Sequence, residues 1–246
     1  MDEHDLPIYR DAARYDAEHW WKTDDLKFWR RMTERWGPAV LELASGTGRI
    51  ALEILAAPAT YTGIEISPDF HRQAGEKLAP FGDRAALVCG DIRQVRLDRA
   101  FDLVIIGFNS FLHLLTDEDV HAALDCVRHH CHADTRFIID LFVPDPLVLL
   151  RPAGHRIEAM SYHDPDIADL VIIEEANDFD PVTGRNHVTW YYSSQENPDF
   201  LVYDFTVRMI YPDTLDRLLH ESGFNIEAKW GDYEETPLGV NSPLQI

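Results

Sequence analysis

The sequence predicts an α/β fold with a doubly wound, mostly parallel sheet and helices on both of its faces. Short apolar runs of strand length alternate with amphipathic helical segments from residue 39 onward. Two helix-start signals fall between such runs, one at Ser67-Pro68-Asp69 and one at Thr116, which three acidic residues follow. Strands that are separated by helices pair in parallel, and the helices then cover the sheet.

Seven strands are expected in this sheet. By residue number they are 40–43, 61–66, 86–89, 101–106, 136–141, 224–230 and 243–246. A second β-rich region interrupts the alternation, and its predicted strands are 157–163, 170–177, 187–193 and 200–210. Because turn sequences such as Asp-Pro and Asn-Pro separate these four strands, we expect them to form an antiparallel insertion.

The chain is expected to consist of four segments. Residues 1–36 mix aromatic with charged residues, which is typical of a helical cap. Residues 37–150 contain the core of the parallel sheet, and residues 151–211 contain the antiparallel insertion. Residues 212–246 add a helix and strands that complete the core.

The composition indicates a globular protein of a reducing compartment. The 246 residues are 46% hydrophobic and 26% charged, which suffices for a core of single-domain size. Three cysteines at irregular spacing argue against a disulfide framework. The sequence contains neither a signal peptide nor an apolar run of about 20 residues, so we expect a cytoplasmic protein that makes no contact with a membrane.

The charge bears on the partners of the protein. Lys and Arg total 22 against 43 Asp and Glu, which gives a net charge of −21. Such a charge repels phosphate backbones, so nucleic acid is not expected as a partner. It favours cationic or amine-bearing ligands, although it also serves plain solubility. A homodimer is compatible with the sequence, which does not specify an oligomeric state.

A glycine-rich turn joins the first predicted strand to the next helix. It reads Glu42-Leu43-Ala44-Ser45-Gly46-Thr47-Gly48-Arg49. Glycine lets the backbone turn sharply and approach a ligand, and the helix that follows presents free N–H groups. This signal is weak alone, because a tight turn without a ligand has the same residues. The spacing Gly46-x-Gly48-x-x-Ala51 also fits a loose dinucleotide-binding pattern.

Polar residues also end the next three strands. Glu65 lies 19 positions after Gly46, where a carboxylate can accept both ribose hydroxyls of an adenine nucleoside. Asp91 follows the third strand, where it can accept from the adenine amino group beside the apolar Ile92. The fourth strand is followed by residues 107–113, which are partly polar. Open α/β sheets bind ligands at this edge, so the sequence predicts a nucleoside site there.

These residues resemble the class I S-adenosylmethionine-dependent methyltransferases, strongly over about residues 38–142 and weakly over the last thirty or so. The resemblance implies a Rossmann-like core, S-adenosylmethionine as cofactor and an insertion that caps the acceptor. It also implies that Glu42 and the turn after it face the methionine part, with Phe108 and Asn109 near the methionyl end. Ala44 stands where the family commonly has glycine. The implied cofactor-binding residues are Tyr15, Glu42, Ala44, Gly46, Gly48, Arg49, Glu65, Ile66, Asp91, Ile92, Phe108 and Asn109.

Within that family the chain resembles the branch of aminosugar N,N-dimethyltransferases and glycine N-methyltransferase. The shared features are a tyrosine-bearing cap, an Asn-Ser-x-x-His segment after the fourth strand and the insertion. The resemblance implies a small-molecule acceptor. Candidate acceptor-binding residues are Tyr9, Trp20, Trp190 and Tyr192. Packing alone explains Tyr9, Trp190 and Tyr192 equally well, and it explains Trp20 better than acceptor binding does. Tyr9 and Tyr15 can either close over the cofactor carboxylate or pack the cap.

His113 is the candidate general base, because an imidazole titrates near neutral pH and an acceptor amine must be neutral when it attacks. A helix cap or a packing role explains His113 equally well. The run Arg128-His129-His130-Cys131-His132 lacks a second ligand cluster at a recognisable spacing, so no metal is expected.

Other functions stay open on the sequence alone. O-methylation of a small hydroxyl substrate is the nearest alternative. An NAD-dependent oxidoreductase would use the glycine turn and Glu65 but leaves Glu42 and Asp91 unexplained. A non-catalytic protein that binds S-adenosylmethionine is the third alternative.

Overall fold

The structure is a computed structural model that describes residues 7–164 and 166–246. The first six residues of the predicted cap at 1–36 therefore lie outside the described residues. Within the described ranges, no helix combines the length and the apolar composition that crossing a bilayer requires.

The order of elements along the chain follows the expected alternation of strands and helices. The helices are α1 (Ala12–Glu18), α2 (Leu26–Trp36), α3 (Arg49–Ala56), α4 (Pro68–Leu78), α5 (Asp117–His129), α6 (Pro146–Leu149) and α7 (Pro212–Glu221). The strands are β1 (Ala39–Leu43), β2 (Thr60–Glu65), β3 (Ala85–Cys89), β4 (Phe101–Ile106), β5 (Cys131–Ile139), β6 (Leu141–Phe142), β7 (Ile157–Asp164), β8 (Asp169–Asp180), β9 (Arg185–Ser193), β10 (Leu201–Arg208) and β11 (Leu244–Gln245). The predicted caps hold, since Ser67 accepts from the N–H of Phe70 and Thr116 from that of Asp119.

The parallel sheet has the strand order β3-β2-β1-β4-β5, and every neighbouring pair runs in parallel. The chain moves outward from β1 to β3 and then returns to the other side of β1 with β4. The carboxyl ends of β1 and β4 therefore lie side by side at the point where the strand order reverses, which is where such sheets bind ligands. Apolar residues of β1, β4, α2 and α3 form the core next to this sheet.

The expectation of seven strands was wrong, since the parallel sheet of the described chain has five. Residues 224–230 contribute only an isolated bridge between Trp230 and Pro237, and β11 pairs antiparallel with β6 in a separate ladder. Side chains bring the first of these segments to β5: Phe224 packs on Phe137, with ring centroids 5.4 Å apart. The apolar pattern of residues 224–230 therefore reflects side-chain packing, and the backbone of these residues does not join the parallel sheet.

The predicted insertion is an antiparallel sheet of the order β10-β9-β8-β7. The chain divides into two compact units. The insertion unit comprises the described residues up to Thr23 with Pro144–Met209, and the core unit comprises Asp24–Val143 with Ile210–Ile246. In the insertion unit, Ile8 packs with the buried side chains of the antiparallel sheet. The expected division into four segments stays a prediction.

Candidate functional site

The turn after β1 has a left-handed backbone at three positions. Ala44, Gly46 and Gly48 have φ values of 56°, 58° and 83°. A Cβ added at Gly46 would meet no atom within 4 Å, whereas one at Gly48 would lie 3.4 Å from the Cβ of Ala74 in α4. Gly46 therefore leaves an open surface. At Gly48 an added Cβ would make ordinary van der Waals contact with α4, so the positive φ is what favours glycine there. Helix α3 begins directly after this turn, at Arg49.

Glu65 connects the end of β2 to the glycine turn. Its Oε2 accepts from the N–H of Gly46 and its Oε1 accepts from the N–H of Ser67, each at 2.8 Å. The residue is 6% exposed, and burial raises the pKa of its carboxyl above the ordinary value. Each carboxylate oxygen can accept more than one hydrogen bond, so Glu65 keeps acceptor capacity beyond these two bonds. The structure thus brings Glu65 and Gly46 together.

Glu42 lies inside the core unit. Its Oε2 accepts from the hydroxyl of Tyr61 on β2 at 2.7 Å. Burial raises the pKa of Glu42 to about 8, which makes the neutral acid its main form at pH 7. A neutral, buried carboxyl joins β1 to β2 without placing a charge in the core.

Arg49 is paired with an acid that sequence reasoning missed. Its two terminal nitrogens donate to Asp25 at 2.6 and 2.8 Å, and Asp25 is completely buried. Asp25 also accepts from the indole N–H of Trp29 at 3.2 Å. The Arg49 guanidinium lies 5.3 Å from the ring centroid of Phe108. The spacing Asp25-x-x-x-Trp29 at the start of α2 was the available signal, because residues four apart share a helix face.

Asp91 is held by Arg93, a second residue that sequence reasoning missed. Arg93 Nη2 donates to Asp91 at 2.6 Å, and Arg93 Nη1 donates to Asp119 of α5 at 2.5 Å. Because Cys89 pairs with Glu65 in the sheet, β2 and β3 end level with one another. The two predicted nucleoside acids thus follow neighbouring strand ends, while the Asp91 carboxylate is turned toward Arg93.

Two apolar residues accompany these acids. Ile66 directly follows Glu65 and is 45% exposed, and Ile92 directly follows Asp91 and is half-buried. An exposed branched side chain beside a strand end offers an apolar surface to a flat ring.

The turn after β4 is strained. Phe108 and Asn109 have φ values of 49° and 63°, which costs a non-glycine residue about 1 to 3 kcal/mol each. Asp140 accepts from the N–H of Phe108 at 3.1 Å, and Asn109 accepts from the N–H of Phe142 at 2.7 Å. A short 3₁₀ helix, Ser110–His113, follows, and its last residue is half-buried.

The candidate acceptor-binding residues, and Tyr15, lie in the insertion unit. The hydroxyl of Tyr192 donates to the buried Glu18 at 3.0 Å, and the indole N–H of Trp190 donates to Glu175 at 2.9 Å. Both rings belong to the apolar cluster of that unit. Trp20, in contrast, is 66% exposed.

The aromatic residues of the N-terminal segment contact one another. The rings of Tyr9 and Tyr15 meet edge to face at 6.2 Å, and the ring of Tyr15 stacks on His19 at 4.2 Å. Their packing supports α1, and their proposed part in ligand binding stays a prediction.

Of the three histidines in the run 128–132, only His130 packs in the interior. His130 is buried: its Nε2 accepts from the N–H of Leu97 at 2.9 Å, and its Nδ1 donates to the carbonyl of Cys126 at 2.7 Å. Burial lowers the pKa of His130, so the neutral ring is favoured. Among residues 7–164 and 166–246, no group of three acidic, histidine or cysteine side chains is placed to hold a metal ion.

These strand-end residues form a candidate nucleoside site at the switch point of an α/β sheet. Residues 40–134 match the family model of a methyltransferase domain. This match confirms that the chain resembles the S-adenosylmethionine-dependent methyltransferases, as the sequence predicts, and the relatives confirm its resemblance to the small-molecule branch.

Three relatives show how far this likeness extends. The glycine/sarcosine N-methyltransferase of Aphanothece halophytica is 27% identical over 211 residues, which cover 85% of this chain and 74% of the relative. The CcbJ methyltransferase of Streptomyces caelestis has a similar structure, with a TM-score of 0.81 at 19% identity, and the match covers 100% of this chain and 97% of that one. CalS10 of Micromonospora echinaspora, an amino pentose methyltransferase solved with its cofactor, gives a TM-score of 0.65 at 16% identity, covering 96% and 89%.

The residues present fit S-adenosylmethionine. The surface at Gly46 is open, the Glu65 carboxylate beside it retains acceptor capacity, and Ile66 presents an exposed apolar side chain next to that carboxylate. These are the groups that a nucleoside with two ribose hydroxyls and a flat base requires.

Proposed function

We propose that the enzyme transfers the methyl group to the nitrogen of a small-molecule amine. The observation that carries this proposal is the extent of the likeness to the glycine/sarcosine N-methyltransferase. The match spans 85% of this chain and so reaches well beyond the cofactor-binding residues 40–134. Because the acceptor rather than the cofactor distinguishes methyltransferases, likeness outside the cofactor-binding part supports a shared acceptor class.

In this proposal each strand-end residue binds a different part of the cofactor. Glu65 accepts from the ribose hydroxyls, and Ile66 and Ile92 cover the adenine. Asp91 accepts from the adenine amino group, with Arg93 fixing the orientation of its carboxylate. The methionine end lies against the glycine turn, and Tyr15 closes over it.

The residues around Phe108 complete the methionine end. Phe108 and Asn109 bound it, and the salt bridge between Arg49 and Asp25 keeps the Phe108 ring in place. This arrangement gives Arg49 a role in shaping the site, while Glu42 acts through the buried connection between β1 and β2.

The bound cofactor supplies an electrophilic methyl group on a sulfonium. The protein orients the acceptor nitrogen, excludes water and accepts the proton that the amine must lose. His113 is placed after β4 and is the residue that accepts this proton. The net charge of −21 favours an acceptor that is cationic in solution, which agrees with an amine.

The insertion unit supplies the acceptor residues in this proposal. Trp20 is exposed enough to stack on an acceptor directly. Tyr9 contacts the acceptor as well. Trp190 and Tyr192 are buried and support this surface from within the apolar cluster, where hydrogen bonds to Glu175 and Glu18 fix their rings.

A mass-spectrometric screen tests the acceptor class. The enzyme is incubated with S-adenosylmethionine and matched pairs of metabolites in which an amine is replaced by a hydroxyl, including glycine and amino sugars. We expect a gain of one methyl group in amines and none in their hydroxyl partners. Methylation of hydroxyl compounds alone would support O-methylation instead.

A further inference from the structure

The turn at Phe108 and Asn109 has a backbone conformation that its own residues do not favour. The backbone of both residues lies in the left-handed region, and neither residue is glycine. Asparagine tolerates this conformation because its short side chain bonds locally, whereas phenylalanine has no such compensation. Groups outside the turn must therefore keep Phe108 in place.

Asp140, which directly follows β5, supplies three of the hydrogen bonds that do so. Its N–H donates to the carbonyl of Ile106 at 3.0 Å, and its carbonyl accepts from the N–H of Asn109 at 3.0 Å. Its Oδ2 accepts from the N–H of Phe108 at 3.1 Å. Since Asp140 is 1% exposed, water competes little for these bonds.

Tyr233 fixes the carboxylate of Asp140. Its hydroxyl donates to the same Oδ2 at 2.8 Å. Burial and the charge of Asp140 raise the pKa of Tyr233 well above its ordinary value, so the hydroxyl remains a donor. The Tyr233 ring packs 5.6 Å from that of Phe28, and its carbonyl accepts from Arg31. The carboxylate thus rests on a side chain anchored in the core.

The position of the turn connects this arrangement to the cofactor. Strand β4 lies beside β1 in parallel, with Ile105 opposite Glu42. The turn at Phe108 and Asn109 therefore leaves the sheet at the same edge as the glycine turn.

We propose that Asp140 and Tyr233 are positioning residues of the cofactor site, which hold this turn in the conformation that binds S-adenosylmethionine. Neither residue needs to touch the cofactor. The inference concerns cofactor binding, so it does not depend on whether the acceptor is an amine.

A matched pair of variants separates this role from general stability. Tyr233→Phe removes the hydroxyl that supports Asp140. Tyr162→Phe makes the same change in the insertion unit, where the buried hydroxyl of Tyr162 donates to Asp164 at 2.9 Å. Melting temperatures are measured for both, and S-adenosylmethionine affinity is measured by calorimetry well below either melting temperature.

We expect both variants to melt earlier by similar amounts. Only Tyr233→Phe should weaken S-adenosylmethionine binding, by about 5- to 30-fold, as loss of one buried hydrogen bond predicts. Asp140→Asn removes the negative charge that strengthens both hydrogen bonds to Oδ2 and should weaken binding at least as much. Wild-type affinity in Tyr233→Phe, or an equal loss in Tyr162→Phe, would overturn the proposal. If Asp140→Asn does not fold, the tyrosine pair decides.

Discussion

His113 ends the 3₁₀ helix after β4, four residues beyond Asn109. It therefore depends on the same strained turn for its position. A general base must lie within hydrogen-bond reach of the proton that it accepts, so the conformation of this turn bears on the proposed role of His113.

Replacing His113 by alanine should lower kcat by about 100-fold or more, because general-base catalysis contributes about 10² to 10⁴. Affinity for S-adenosylmethionine should stay within about twofold. The control is His121→Ala on α5, whose imidazole lies 3.4 Å from Glu221 and which we expect to keep wild-type kcat. Steady-state kinetics with an acceptor found in the screen measures the first effect, and calorimetry measures the second. Unchanged turnover in His113→Ala would make the residue structural.

The sequence predicted the positions of several site residues but not the partners of their side chains. The spacing of 19 positions between Gly46 and Glu65 predicted that both residues lie at the same edge of the sheet. In the structure a hydrogen bond joins them. The ion pairs of Asp25 with Arg49 and of Arg93 with Asp119 were missed, because their partners lie 24 and 26 positions apart in the chain. The spacing Asp25-x-x-x-Trp29 indicates only the contact of Asp25 with Trp29. Sequence position thus indicated which residues lie at the site edge, and tertiary contacts decide how their side chains are oriented.

At the scale of elements, β1 and β2 are joined by a titratable contact, that of Glu42 with Tyr61. Burial raises the pKa of Glu42 from its ordinary value of 4.5 to about 8. Between these two values the folded chain holds a proton that the unfolded chain has lost. The free energy of unfolding should therefore fall as the pH rises from about 4.5 to 8, and this contribution is lost above that range.

Glu42→Gln tests this linkage, since glutamine stays neutral at every pH. Denaturant unfolding between pH 5 and 9 should show a shallower decrease of stability in Glu42→Gln than in the wild type. Some slope should remain, because burial also raises the pKa of Glu18 to about 8. Glu76→Gln, on the exposed face of α4, serves as the control and should keep the wild-type slope. An unchanged slope in Glu42→Gln would contradict a buried, neutral Glu42.

Elements with a strong local signal were predicted well. Helices α4 and α5 begin where Ser67 and Thr116 indicated, because a capping side chain acts within its own turn. The prediction was wrong for the last two strands of the sheet, because strand pairing depends on residues far away in the chain. Residues 224–230 have an apolar pattern, yet strand formation needs a hydrogen-bonding partner that no local pattern reveals.

At the scale of the whole molecule, each compact unit has its own apolar cluster. The core unit contains the predicted cofactor residues except Tyr15, and the insertion unit contains the predicted acceptor residues. The roles of these residues stay predictions.

We propose that Glu65 and Asp91 bind a single adenosine group beside the glycine turn. Calorimetric titration with S-adenosylmethionine tests it most directly, on the wild type, Glu65→Ala, Asp91→Ala and the control Glu76→Ala. We predict that each of the first two variants binds about 5- to 150-fold more weakly than the wild type, since each leaves polar groups of the nucleoside unpaired, while the control is unaffected. Wild-type affinity in both variants, or a wild type that binds NAD and not S-adenosylmethionine, would contradict the claim.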